Sequence, residues 1–166
     1  MVWGMTLETF TFVHVVLSLV GIGSGFVVML GLLAAKQHDG WTALFLITTV
    51  ATSVTGFGFP VEHLLPSHIV GVMSLIILAI VILARYGLHL GGAWRRIYVV
   101  AAAIALYLNV FVGIVQAFQK VSVLKAIAPR QSEPPFVATQ LAVLALFILL
   151  IIVAMKRFRS ASAVHV

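Results

Sequence analysis

Residues 136–155 read FVATQLAVLALFILLIIVAM, twenty positions of which only Thr139 and Gln140 carry a polar side chain. A membrane-crossing helix needs about 20 mostly apolar residues to traverse about 30 Å of hydrocarbon, so this run is long enough to span. Working back toward the N-terminus, residues 10–35, 41–60, 68–89 and 97–119 share its character. Five such spans use up most of a 166-residue chain and leave no room for a separate soluble domain. Lipid offers no partner to an unpaired backbone amide, and segments of alternating polarity are absent, so helices are the spanning element. The expected fold is all-α: one domain, 1–166, forming an integral membrane up-and-down bundle of five transmembrane helices joined by short connections.

Composition points the same way. Hydrophobic residues make up 63% of the chain and charged residues 8%, where a soluble domain carries about 25% charged residues. The net charge of +6 would suggest nucleic acid in a soluble protein. Here the basic residues lie between apolar runs and near the C-terminus, where they act as topology signals, and no nucleic-acid partner is expected. There is no cysteine, which excludes disulfides, Fe–S clusters and thiol chemistry. Residues 1–12 lack a basic leader region, and no small-residue cleavage site follows the first apolar run, so that run is expected to be a retained helix.

Basic residues decide orientation. With the N-terminus outside, Lys36, Arg85, Arg95, Arg96, Lys156, Arg157 and Arg159 are cytoplasmic, and Lys120, Lys125 and Arg130 are outside. Seven against three favours this arrangement in a bacterial inner membrane, with the C-terminus cytoplasmic. Residues 121–128, among the three exceptions, form a candidate interfacial amphipathic piece.

Polar side chains facing lipid are costly, so polar residues within spans mark the inner faces of a bundle. In the first span, His14, Ser18, Gly21 and Gly25 share a face, and Gly21 and Gly25 form a GxxxG pair. Placed on the topology, His14, Ser18, Thr52, Ser53, Thr55, His68, Ser74, Gln116 and Gln140 fall in the outer half and Asn109 near the middle. The cytoplasmic half reads as apolar apart from Tyr98, and the fifth span as peripheral. This is the pattern of a site open toward the periplasm and not of a channel.

Two chemistries fit that site. His14 and His68 lie at similar depth, as axial ligands of a b-type haem must, with Gly21 and Gly71 giving room for the porphyrin. Lys120, Lys125 and Arg130 would then meet the propionates, although lipid head groups would explain them equally. Alternatively, a transition metal ion sits among His14, Glu62, His63 and His68, an imidazole and carboxylate set that suits zinc, copper or iron. Ser18, Asn109, Gln116 and Gln140 would supply polar groups in the pocket, for instance to a quinone. Against both stands a structural role, in which the histidines and amides bond to one another or to Ser18. No carboxylate lies inside a span, and no nucleophile motif, P-loop or dinucleotide fingerprint is present.

The stretches Thr52-Ser53-Val54-Thr55-Gly56-Phe57, Pro66-Ser67-His68 and Trp94-Arg95-Arg96 resemble an uncharacterised family of small multi-span bacterial inner-membrane proteins, a resemblance that brings no function with it. The bundle with histidines near one face is also similar in architecture to b561-type cytochromes, whose full two-haem histidine set this sequence lacks. One expectation is a redox or electron-transfer protein with haem or a metal at His14 and His68. The other is a non-enzymatic module that binds a small ligand or partner, forms a homo-oligomer, or assists a larger membrane complex.

Overall fold

The computed structural model describes residues 2–60 and 66–160, which are helical apart from turns and one isolated bridge between Val2 and Met5. Helix α1 spans Leu7–Leu33, α2 Asp39–Gly56, α3 Pro66–Ile82, α4 Trp94–Lys120, α5 Ser122–Ile127 and α6 Pro134–Ser160. A π-helical turn, Leu83–Gly87, continues α3. Local chemistry sets several ends. The Thr6 hydroxyl accepts from the Thr9 amide at 3.2 Å and caps α1, satisfying a donor that has no partner within the helix. At its other end Ala35 turns left-handed (φ 56°) and the Lys36 amide bonds back to the Gly31 carbonyl at 2.8 Å, a Schellman-type stop.

Short connections force sequential helices to run antiparallel. Helices α1 to α4 pack in a ring, each against its sequence neighbour and α1 against α4, while α6 lies outside in the groove between α1 and α4. Only 11% of the apolar window of α6 is buried, in keeping with its expected place at the margin. Small residues set how closely α1 approaches its partners. A Cβ on Gly25 would stand 2.6 Å from Leu106 Cδ1 and 2.9 Å from Phe45, and one on Gly21 would stand 3.2 Å from Thr49 Oγ1. The packed core of Val28, Leu32, Phe45, Leu78, Tyr98 and Leu106 occupies the end of the ring away from the N-terminus.

Four helical stretches are long and apolar enough to cross a membrane: Leu7–Leu33, His68–Gly87, Trp94–Lys120 and Pro134–Phe158. Helix α2 is not among them. It opens with Asp39, carries five threonines and a serine in 18 residues, and ends at Gly56, short of the expected 60. The five expected spans therefore correspond to five long helices, of which four meet this measure of length and apolarity. Helix α5 falls within 121–128, where a short amphipathic piece was expected.

The end expected to be apolar is not uniformly so. The π-helical turn places Arg85 inside, its side chain 6% exposed, where it pairs with Asp39. Arg85 also donates to Gln37 Oε1 at 3.3 Å and Tyr98 Oη at 3.4 Å, with its guanidinium 5.5 Å from the Tyr98 ring centre. A π-turn inserts one residue into the helix repeat, and that shift could not be read from hydropathy. The pair is lopsided, because the Asp39 side chain is 88% exposed. Losing Asp39 leaves a buried cation short of compensation, whereas losing Arg85 leaves a carboxylate that water solvates. Asp39→Ala should therefore lower stability by about 1–3 kcal/mol and Arg85→Met by less than about 1 kcal/mol, with Asp39→Ala adding little once Arg85 is Met. Thermal unfolding of the three variants in detergent checks the order, and a milder Asp39→Ala would contradict it.

Candidate functional site

At the other end of the ring the four helices part around a cavity of about 670 Å³, within the range of small-molecule sites. Its wall is mostly apolar, drawn from Val15, Leu19, Ile22, Leu108 and Val112, with a few polar groups set into it. Of the residues singled out in the sequence, His14, Ser18, His68, Asn109, Gln116 and Lys120 all line this one cavity. Helix α1 contributes the first two, α3 contributes His68, and α4 presents Asn109, Gln116 and Lys120 at spacings of seven and four along one face.

His14 is the best-defined polar group. Its Nδ1 lies 2.7 Å from Thr55 Oγ1. The Thr55 hydroxyl has a single proton, which goes to the Ala51 carbonyl at 2.7 Å, so toward His14 it can only accept. Nδ1 therefore carries a proton, and in the neutral ring Nε2 keeps the lone pair, a tautomer assigned from the hydrogen-bond network. Phe59 packs edge-on against the His14 ring at 5.1 Å and limits its rotation. A histidine anchored through one nitrogen and open at the other is what metal coordination requires. His68 packs against the Phe57 ring at 5.6 Å and lies half-buried at the start of α3.

Several of the other polar groups are spent on the protein. Ser18 bonds the His14 carbonyl of its own helix at 2.8 Å, Asn109 Nδ2 donates to Thr49 Oγ1 at 3.1 Å, and Ser53 donates to Ser74 at 3.1 Å. Thr52, which also lines the cavity, has a buried hydroxyl with no hydrogen-bond partner among the described residues. Burying an unpaired hydroxyl is costly, so a ligand atom there would be rewarded. Thr52 was visible in the sequence among the polar residues of the outer half, but nothing there distinguished it from Thr55, whose proton returns to its own helix.

Three expected participants lie elsewhere. Gln140, on α6, donates to the Phe111 carbonyl of α4 at 3.2 Å and does not line the cavity, because α6 packs outside the ring. Lys125 and Arg130 are exposed, on α5 and in the turn beyond it, and only Lys120 reaches the cavity wall. In that turn the Glu133 carboxylate accepts from the Arg130 and Ser132 amides at 3.1 Å each. Glu62 and His63 lie outside the described residues. Among the described residues no three His, Asp or Glu side chains come together as a metal site. Gly71 lines the cavity as expected, and a Cβ there would stand 3.0 Å from the Phe57 ring, whereas Gly21 packs against α2.

The chain matches no protein-family model, no curated protein and no solved structure. The site therefore stands on its geometry.

The tautomer offers a direct check. Labelled with ¹⁵N-histidine, the protein should show His14 protonated at Nδ1 in its neutral form, and Thr55→Val, which removes the acceptor, should shift His14 to a mixture of tautomers. An Nε2-protonated His14 in the unsubstituted protein would contradict the network.

Proposed function

We propose that this chain is a multi-pass protein of a bacterial inner membrane whose cavity, facing the periplasm, binds a small and largely apolar redox ligand. The ligand that the donors suit best is b-type haem, with His14 and His68 as axial ligands and electron transfer as its work. The observation that carries the reading is His14 itself, tethered through Nδ1 to Thr55 and lining a cavity shared with His68. A metal ion without a macrocycle needs three or four protein donors, more than His14 and His68 supply by themselves. A haem brings four nitrogens of its own, so two imidazoles suffice. Lys120 at the cavity wall suits a propionate.

Topology supports the reading of five crossings. Helices α1 and α3 run in the same direction, each apolar enough to cross, so the chain between them must cross back, and α2 is the helix available. Its polarity is tolerable because Thr42, Thr48 and Thr55 return their protons to carbonyls of the helix itself, leaving little polar surface to lipid. The balance of basic residues sets the N-terminus outside.

A lipid-soluble quinone is the second reading, favoured by one observation: the unpartnered Thr52 hydroxyl, which would suit a quinone oxygen and has no role toward haem. Both readings need a cavity that holds a planar, mostly apolar molecule.

After haem-replete expression and purification in detergent, the protein should show a Soret band that His14→Ala and His68→Ala each abolish or shift. Absence of a Soret band overturns the haem reading, and a quinone in the organic extract, lost in Thr52→Val, would then establish the second. A Soret band that survives both histidine substitutions overturns the ligand assignment.

A further inference from the structure

A second cavity, of about 440 Å³, lies at the opposite end of the ring, between the turn that follows Gly87, the first turns of α4 and the last turns of α6. Its chemistry is divided. Arg95, Arg96 and His89 line it on the polar side, and Leu90, Val99 and Met155 on the apolar side. Among the described residues no carboxylate lines it. Among the described acidic residues, Glu8 and Glu133 belong to the far end of the bundle and Asp39 is engaged by Arg85. The two arginines thus have no carboxylate partner among the described residues, which leaves the half-buried Arg95 in particular without a compensating anion. Arg95 is half-buried, its guanidinium 5.4 Å from the Phe158 ring centre, which fixes the planar fork at the border between the apolar and polar parts of the wall.

We propose that this cavity binds the phosphate group of an anionic phospholipid, with Arg95 and Arg96 on the phosphate oxygens. Guanidinium groups recognise phosphate through paired, charge-assisted hydrogen bonds. Free phosphate would satisfy the arginines but leave the apolar wall without a partner. A lipid uses both: its acyl chains continue from the half-buried Met155 onto the exposed apolar side chains of α4 and α6, among them Ile97, Ile152 and Val153. Basic pockets between helices at the cytoplasmic edge of a membrane are suited to anionic head groups. This inference rests on the membrane-spanning reading and is independent of what occupies the His14 cavity.

The test is native mass spectrometry of the detergent-solubilised protein titrated with short-chain phosphatidylglycerol, phosphatidylcholine or inorganic phosphate. The expected result is a preference for phosphatidylglycerol that falls about fivefold in Arg96→Gln and about 30-fold in Arg95→Gln/Arg96→Gln. Arg95→Lys/Arg96→Lys should recover only part of it, because an ammonium keeps the charge but not the paired hydrogen bonds, and Lys36→Gln, which removes a charge at the same end but outside the cavity, should change it less than twofold. Arg96 is exposed, so Arg96→Gln reads binding without threatening the fold. Equal binding of phosphatidylglycerol and phosphatidylcholine, an unchanged preference in the double variant, or inorganic phosphate competing at equal concentration would each overturn the proposal. Resistance of the protein to alkaline carbonate extraction is measured in parallel: membrane-bound protein without lipid preference sinks this inference alone, whereas extractable protein sinks the membrane reading beneath it.

Discussion

A polar side chain on an apolar helix has to find its partner within the protein, and most of this bundle is arranged by that constraint. The hydroxyls of α2 illustrate it: Thr42, Thr48 and Thr55 bond the carbonyl one turn back, and Ser53 bonds Ser74 across to α3. Asn109 meets Thr49 and so ties α4 to α2, while Gln140 meets the Phe111 carbonyl and ties α6 to α4. Because each of these bonds fixes a helix face, they set the register in which the apolar side chains then pack. Groups outside the scheme stand out against it. Among the described residues His14 is bonded through Nδ1, and the Thr52 hydroxyl has no hydrogen-bond partner. Both line the same cavity.

The two ends of the ring differ because their side chains do. Phe45, Leu78, Tyr98 and Leu106 fill the end away from the N-terminus, with glycine at position 25 letting α1 close onto them. At the other end the corresponding positions of α1 and α4 carry His14, Ser18, Gly113 and Gln116, side chains too small or too polar to fill the space, and the helices part. A packed interior leaves few voids larger than a water molecule, so a cavity of about 670 Å³ calls for a ligand or for lipid.

Much of this could be read from the sequence. Apolar runs located five long helices to within a few residues, and the polar census placed eight residues that do share one cavity. The failures have physical causes. Hydropathy averages over a window, so it treated residues 41–60 as equivalent to the other spans although α2 is studded with hydroxyls. It counted Arg85 as a cytoplasmic topology charge at the end of the third span and not as a buried partner of Asp39, because a π-helical turn changes which way a side chain faces without changing composition. Gln140 was grouped with the cavity by depth alone, which cannot tell the inside of the ring from the outer groove where α6 lies. The Thr55 tether to His14 joins residues 41 apart in the chain, and no local pattern reports such a bond.

The proposal at the centre of this reading is a membrane bundle packed at one end and open to the periplasm at the other. The absence of cysteine makes it directly measurable. Single cysteines at Ser18 and Gln116, which line the cavity, and at Ala103, which is fully buried in the packed end, are exposed to a membrane-impermeant thiol reagent in cells with a permeabilised outer membrane. The account predicts labelling of Ser18→Cys and Gln116→Cys from the periplasmic side and none of Ala103→Cys; labelling of the cavity positions only after the inner membrane is opened would contradict it.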